Sequence, residues 1–178
     1  MTAAAATVAQ LDQFDEVIDV RTPPEFEEDH IPGAVNVPVL SAAERAEVGT
    51  LYKQASSFDA KKLGAALIAR NIARHLDTYF SNKPKHWRPL VYCWRGGKRS
   101  GALAHILSEV GWKVARLEGG YKAYRKRAIE DLMHWPQAFN FEVICGPTGS
   151  GKSRLLSALA DAGAQVLDLE QLALHRGS

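Results

Sequence analysis

The sequence has few cysteines, no long apolar run and no strong excess of charge of either sign. Two cysteines, at positions 93 and 145, provide no disulfide framework and favour a reducing compartment with a working thiol. No stretch approaches the about 20 apolar residues of a membrane helix, and the alanine-rich start lacks the basic and apolar regions of a signal peptide. The net charge of +2 excludes nucleic-acid binding through overall basicity. We therefore expect a cytoplasmic protein with no membrane partner, in which any RNA contact comes from local clusters.

The 178 residues suit one full domain and a small addition. Strand patterns alternate with helical patterns through the first three quarters of the chain, which predicts an α/β fold with a parallel central sheet. Strands are predicted at 16–20, 35–38, 89–93 and 113–117, and helices at 57–80, with Ser57 as N-cap, 101–110 and 122–133. A linker is predicted at 134–138, followed by a strand at 139–145, a helix at 154–162 and a strand at 165–169.

The segment Cys93-Trp-Arg-Gly-Gly-Lys-Arg-Ser100 places a thiol after a predicted strand and before a predicted helix, where ligands bind in open α/β sheets. Its two glycines allow successive amides to turn inward and bind an anion, and the helix N-terminus adds partial positive charge. Three cations follow, and together these features favour the reactive thiolate. The alternative is a buried structural cysteine beside a solvated basic loop. The predicted site comprises the catalytic Cys93 and an anion cradle of Arg95, Gly96, Gly97, Lys98, Arg99 and Ser100.

A second motif, Gly146-Pro-Thr-Gly-Ser-Gly-Lys-Ser153, fits the P-loop pattern at every fixed position, between a predicted strand and a predicted helix. Its amides would hold a diphosphate, its lysine would neutralise the phosphates, and its last serine could bind Mg²⁺. Cys145 is expected to be a buried strand residue. The predicted diphosphate-binding residues are Gly146, Pro147, Thr148, Gly149, Ser150, Gly151, Lys152 and Ser153.

A P-loop fold needs a sheet of several strands covered on both faces, but only two strands are predicted after residue 138. We therefore expect residues 139–178 to form a partial P-loop NTPase-like domain, joined by the linker at 134–138 to a complete domain at 1–133. The chain would then be a fragment of a longer protein.

The segments from Asp19 to Phe26 and from His30 to Pro38 resemble the two opening signatures of rhodanese domains. The cysteine loop lies where those domains keep their active cysteine, so the resemblance covers about residues 8–128. The loop is one residue longer than in common single-domain rhodaneses and has the Cys-x5-Arg spacing of rhodanese-related phosphatases, which usually have His where this chain has Tyr92. A phosphatase or a generic sulfurtransferase is therefore an alternative. Asp19 and Arg21 are expected to support the architecture, and His30 to be a turn residue.

The rhodanese-like segment followed directly by a P-loop resembles the tRNA 2-selenouridine synthase family. The loop Cys-Trp-Arg-Gly-Gly-x-Arg-Ser, the helical segment beginning at Gly49 and the residues from Leu167 to Ser178 add to this resemblance. It implies S-geranylation of the wobble 2-thiouridine by geranyl diphosphate, followed by replacement with selenium from selenophosphate. Cys93 would handle selenium, and the P-loop would bind the diphosphate of geranyl diphosphate or of a nucleotide. The implied partners are tRNA and an enzyme that supplies selenophosphate.

Two basic segments that contain aromatic residues, 83–88 and 121–127, are candidates for tRNA contact through phosphates and stacked bases. The alternative for each segment is a solvated basic face. A chain that binds only an anion or tRNA, without catalysis, is the remaining hypothesis.

Overall fold

The structure, a computed structural model, describes residues 3–173, and the chain divides into two compact units, residues 1–134 and 135–178. The first unit contains a five-stranded sheet in which all neighbouring strands are parallel, in the order β1-β5-β4-β2-β3. This confirms the predicted α/β fold with a parallel central sheet. The strands are β1 (Ala4–Ala6), β2 (Glu16–Asp19), β3 (Val35–Asn36), β4 (Pro89–Tyr92) and β5 (Ala115–Leu117).

Five α-helices accompany this sheet: α1 (Pro23–Glu28), α2 (Ala42–Gln54), α3 (Ser57–Asp77), α4 (Lys98–Val110) and α5 (Gly120–His134). The N-cap of α3 is Ser56 and not Ser57, since the Ser56 hydroxyl accepts a hydrogen bond of 3.2 Å from the amide of Asp59. Gly111 ends α4 in a left-handed conformation that glycine adopts without steric cost.

The core of the first unit lies on both faces of the sheet, because successive side chains of a strand point to opposite faces. Val91 and Cys93 join a cluster that includes Leu103 and Leu107 of α4. Leu90 and Tyr92 join a second cluster with Tyr121 of α5. The reactive cysteine therefore follows a strand that is buried on both sides, which fixes the position of its backbone.

The second unit contains α6 (Lys152–Asp161) and α7 (Leu169–Leu172), preceded by a 3-10 helix at Trp135–Ala138. The strands predicted at 139–145 and 165–169 are wrong: neither segment is a strand, and Leu169 begins α7. A strand is stabilised by its partners, and the apolar residues that would enter a sheet remain outside, with Val143 81% and Leu167 58% exposed. Cys145 is likewise exposed and not buried. Residues 174–178, which carry part of the family resemblance, lie outside the described residues.

Within residues 3–173, every helix is too short or too polar to cross a membrane.

Candidate functional site

The cysteine loop lies at the carboxyl edge of the sheet. Cys93 directly follows β4, and the helix α4 begins five residues later at Lys98. Because all strands are parallel, the segment after the neighbouring β5 reaches the same edge, where Gly120 begins α5. Three parts of the chain therefore meet at the thiol: the cysteine loop, the first turn of α4 and the first turn of α5.

Hydrogen bonds surround the thiol of Cys93, which is buried at the base of the loop. The amide of Gly97 donates to its Sγ at 3.2 Å, and the hydroxyl of Ser100 lies 3.3 Å from Sγ. Burial raises the pKa of the thiol, but hydrogen bonds from the side chain of Ser100 and from the amides of Ser100, Arg95 and Gly97 outweigh it. The net effect lowers the pKa of Cys93, so the thiolate is favoured.

The direction of these amides follows from how the loop is attached to α5. The carbonyl of Cys93 accepts from the amide of Tyr121 at 2.9 Å, and the carbonyl of Trp94 accepts from the amide of Lys122 at 3.0 Å. The helix N-terminus, whose amides lack partners within the helix, therefore holds the carbonyl side of the loop. The opposite, amide side of the loop is left to bind the sulfur.

Gly120 is a site residue that the sequence reasoning missed. Its φ is +62°, and a Cβ at this position would overlap the carbonyl oxygen of Cys93 and the amide nitrogen of Gly96, and lie 2.9 Å from the amide nitrogen of Arg95. Only glycine permits this approach between α5 and the loop. The signal that could have identified it is the pair Gly119-Gly120, one residue after the strand predicted at 113–117.

The largest contributions that lower the pKa of the thiol are hydrogen bonds, and the charged side chains of the predicted cradle are not among them. The guanidinium of Arg99 instead binds Glu25 of α1 through two hydrogen bonds of 2.7 and 3.1 Å. Burial raises the pKa of Glu25, but hydrogen bonds from Arg99 and Thr22 outweigh it and lower that pKa to about 2. Arg99 is therefore held away from a role as the arginine of a Cys-x5-Arg phosphatase. Arg95 and Lys98 are exposed and available to an arriving anion.

Asp19 and Arg21 form a buried support beside the loop. The amide of Arg21 donates to Asp19 Oδ1 at 2.8 Å, and its guanidinium donates to Asp19 Oδ2 at 2.7 Å and to the carbonyl of Asp29 at 2.6 Å. The guanidinium also lies 4.1 Å from the ring centre of Tyr121 at the start of α5. These contacts agree with the architectural role expected for both residues. His30 stacks on Phe26 and its Nδ1 lies 2.8 Å from the Phe26 carbonyl, as expected of a turn residue.

Each of the two candidate RNA segments, 83–88 and 121–127, contains an aromatic residue that is buried. Trp87 is only 5% exposed and Tyr121 only 1% exposed, so the prediction that they stack on bases is wrong. Both rings pack in the core against other aromatic side chains, Trp87 against Trp112 and Tyr121 against Tyr92. Trp94 was not predicted as an RNA contact, yet it is 36% exposed, directly follows Cys93 and packs 5.6 Å from Tyr121.

The two basic segments also differ in their place on the sheet. Segment 83–88 precedes β4 and so lies at the amino edge, about 13 Å of strand away from the thiol. Lys83 is moreover bound to Glu16 at 2.7 Å. The segment in α5 begins beside the cysteine loop, and Lys122 and Arg125 are exposed there. The second segment is therefore the better candidate for an RNA surface at the thiol.

The P-loop motif of the second unit forms a turn followed by α6. Gly149 and Gly151 have φ of +78° and +87°, and α6 begins at Lys152, two residues earlier than predicted. The Nζ of Lys152 lies 2.9 Å from the carbonyl of Gly146 and 3.0 Å from that of Pro147, so the lysine folds over the loop. The role of this loop in diphosphate binding remains a prediction.

Comparison with known proteins shows similarity along both units. The rhodanese-like domain family model matches residues 4–127, and the model of the tRNA 2-selenouridine synthase AAA domain matches residues 139–178. The tRNA 2-selenouridine synthase of Nitrosomonas europaea is 42% identical over 163 residues, which cover 91% of this chain and 42% of that protein. The synthase of Bdellovibrio bacteriovorus is 40% identical with the same coverage. The chain thus spans less than half the length of these relatives.

Among solved structures, the N-terminal domain of a protein named as ATP/GTP binding, from Clostridium difficile 630, has a TM-score of 0.61 and 36% identity. The similarity covers 71% of this chain and 99% of that one. The two family models and the sequence relatives confirm the resemblance that the two motifs in tandem predicted.

Proposed function

Since the chain belongs to the rhodanese-like domain family and resembles tRNA 2-selenouridine synthases over 91% of its length, we propose that it acts in the replacement of sulfur by selenium at 2-thiouridine of tRNA. The observation that carries the proposal is the thiol of Cys93, which receives an amide hydrogen bond at 3.2 Å and has a lowered pKa. A thiolate held by amides suits a site where negative charge appears on sulfur or selenium. The chemistry belongs to a transferase that modifies tRNA.

Two transfers at the base account for the exchange. In the first, the sulfur of 2-thiouridine attacks C1 of geranyl diphosphate, so that a C–S bond forms, the C–O bond breaks, diphosphate leaves with the electron pair and the base loses its N3 proton. In the second, the selenium of selenophosphate adds to C2 of the base, geranylthiolate leaves, and water cleaves the P–Se bond to release phosphate. In this second transfer the thiolate of Cys93 takes the proton of the Se–H group of selenophosphate as selenium attacks C2, and gives it to the geranylthiolate that leaves. Arg95 and Lys98 attract the anionic donor. An enzyme that produces selenophosphate is the expected supplier.

The P-loop from Gly146 to Ser153 would bind a diphosphate, either that of geranyl diphosphate or that of a nucleotide. Lys152 would exchange its loop carbonyls for phosphate oxygens. If Mg²⁺ accompanies the diphosphate, Ser153 would supply one oxygen ligand. Diphosphate oxygens and water are the other ligands expected there, because Mg²⁺ usually keeps several waters and binds substrate phosphates.

We propose that the base to be modified stacks on Trp94 and that Lys122 and Arg125 bind neighbouring phosphates. The indole is exposed, directly follows the thiol and is supported from behind by Tyr121. Stacking on an aromatic side chain is worth about 1–3 kcal/mol per base. Replacing Trp94 with Ala should raise KM for tRNA about tenfold or more, whereas Trp94→Phe should retain most of the affinity. Equal KM values for the wild type and Trp94→Ala would exclude this contact.

The test of the function uses tRNA that contains 2-thiouridine, with geranyl diphosphate and selenophosphate, followed by mass spectrometry of the nucleosides. The wild type and Cys145→Ser should both form 2-selenouridine, since Cys145 lies outside the cysteine loop. Cys93→Ala should lose selenation by a factor of about a hundred or more, while geranylation persists. Equal selenation by Cys93→Ala and the wild type would contradict the role of Cys93. Hydrolysis of an aryl phosphate, or sulfur transfer to cyanide, at a comparable rate would favour the alternative activities.

A further inference from the structure

A groove of about 780 Å³ lies between α2, α3 and α4 of the first unit. Its lining includes four small residues of α3, which leave room beside the helix: Gly64, Ala65, Ala69 and Ala73. Val48 and Tyr52 of α2 and Ile106 of α4 line the walls. A groove of this volume lies in the range of small-molecule binding sites, which is about 300–1,000 Å³.

Positive charge surrounds this apolar groove. Arg45 of α2, Lys61 of α3 and Lys98 of α4 line it together with Arg99, and no acidic side chain is among the described residues that form its lining. Arg99 is bound to Glu25 at 2.7 Å, and Arg45 lies 3.5 Å from the same carboxylate. The ammonium groups of Lys61 and Lys98 are therefore the cations best placed for an added anion. The groove is complementary to a hydrocarbon chain that carries an anionic head group.

The groove adjoins the cysteine loop. Lys98 lines the groove and also directly follows Gly97, whose amide binds the sulfur of Cys93. The lining runs along α3 from Lys61 to Leu76, a distance of about 22 Å, which exceeds the length of a ten-carbon isoprenoid chain. An anionic head at Lys98 would therefore lie at the loop, with the chain extending away along α3.

We propose that this groove binds the hydrocarbon chain of a prenyl diphosphate, with the diphosphate against Lys61 and Lys98. The proposal rests on the proposed function, in which geranyl diphosphate is a substrate. It assigns both the chain and the diphosphate of that substrate to the rhodanese-like unit, so that the P-loop binds the diphosphate of a nucleotide. Burial of the chain supplies the affinity, and the lysines orient the reactive end toward the loop. The alanines of α3 are then specificity residues, because a larger side chain would fill the space that the isoprenoid occupies.

The test measures binding of geranyl diphosphate to the whole chain by calorimetry in two matched pairs of variants. Ala69→Trp fills the groove, whereas Ala66→Trp places the same side chain at an exposed position of α3 outside it. Lys61→Glu reverses a charge that lines the groove, whereas Lys62→Glu does so at the neighbouring residue outside it. We expect Kd to rise at least tenfold in the first member of each pair and less than twofold in the second. Ala69→Trp should leave the binding of inorganic diphosphate unchanged.

Equal affinities within both pairs, or no binding of geranyl diphosphate to the wild type, would overturn the assignment of the groove. Decyl phosphate that binds as tightly as geranyl diphosphate would overturn the choice of a prenyl chain. The proposed function is tested separately with tRNA that is already S-geranylated, because its selenation requires no geranyl diphosphate. If the wild type selenates that tRNA but Ala69→Trp does not weaken the binding of geranyl diphosphate, only the assignment of the groove is wrong. If the wild type does not selenate that tRNA, the proposed function is wrong.

Discussion

At residue 93, the reactivity of the thiol depends on neutral hydrogen-bond donors more than on nearby cations. The sulfur lies 3.2 Å from the amide of Gly97 and 3.3 Å from the hydroxyl of Ser100, whereas Arg99 is engaged with Glu25. Backbone amides have fixed positions, so they can stabilise a charge on sulfur without the loss of side-chain entropy that a lysine would require. The cations of the loop are better suited to attract the donor than to activate the nucleophile.

Ser100→Ala should raise the pKa of Cys93 and slow its reaction at neutral pH. Burial alone raises this pKa, and the hydroxyl of Ser100 is the largest of the contributions that lower it. The rate of alkylation by iodoacetamide, measured against pH in a Cys145→Ser background, should therefore reach its midpoint at higher pH in Ser100→Ala, and the rate at pH 7 should fall several-fold. A Cys93→Ser variant, in which Cys145 is the remaining cysteine, gives the alkylation rate of an exposed thiol for comparison. An unchanged midpoint would show that the hydroxyl does not stabilise the thiolate.

Gly120→Ala should displace the cysteine loop, and Gly111→Ala is its matched control. Both glycines have positive φ, +62° and +110°, so alanine is strained at either position by about 1–2 kcal/mol. A Cβ at Gly111 meets nothing within 4 Å, whereas a Cβ at Gly120 overlaps the loop backbone. Urea unfolding should therefore show an additional loss of about 1–3 kcal/mol for Gly120→Ala, and alkylation of Cys93 should change only in that variant. Similar results for the two variants would argue against the close approach.

Among the elements, α1 and α4 are connected by one carboxylate. Glu25 of α1 accepts hydrogen bonds from Thr22 at 2.9 and 3.0 Å, which cap its own helix, and two from Arg99 of α4. It thus ties the start of α1 to the helix that follows the cysteine loop. Such a contact between segments 74 residues apart is invisible to local sequence patterns.

The depressed pKa of Glu25 predicts a specific loss of stability in acid. The pKa falls from 4.5 to about 2 on folding, so the stabilisation is present above pH 4.5 and is lost as the pH falls toward 2. It amounts to about 3 kcal/mol at most, because water around the partly exposed carboxylate weakens the interaction. The free energy of unfolding of Glu25→Gln, measured in urea between pH 2 and 7, should be lower at pH 7 and should decline less in acid. Glu47→Gln, at an exposed position of α2, should show the same pH dependence of the free energy of unfolding as the wild type. If the stability of Glu25→Gln declined in acid as much as that of the wild type, the assigned role of the Glu25 carboxylate would be wrong.

The elements that the sequence predicts well are those with strong local patterns. The apolar run of β4 and the regular apolar spacing of α3 identify both elements, and the loop between β4 and α4 is contiguous, so its glycines and cations can be read together. The strand β1 consists of three alanines with no apolar alternation, and it forms because β5 offers an edge. Its existence depends on a partner more than 100 residues away, which no local pattern reveals.

At the scale of the whole molecule, the site is only partly visible in the sequence. The nucleophile and the P-loop are contiguous motifs and can be located directly. Gly120, Glu25 and the groove along α3 come from segments that meet only after the sheet has formed. Even the exposed Trp94 and the buried Trp87 look alike in sequence, because burial of an aromatic ring is decided by what packs on it.

The two units should differ sharply in stability. All residues of the two buried clusters belong to the first unit, whereas Val143, Leu155, Leu167 and Leu169 of the second are exposed. Since burial of apolar surface is the main stabilising contribution, the first unit should carry the cooperative unfolding transition. Residues 1–134 alone should unfold at nearly the same urea concentration as the whole chain. The two free energies of unfolding should differ by less than about 1 kcal/mol. Amides of α6 in the whole chain should exchange with deuterium orders of magnitude faster than those of α4. A second cooperative transition in the whole chain, or slow exchange in α6, would show that the second unit has a stable core of its own.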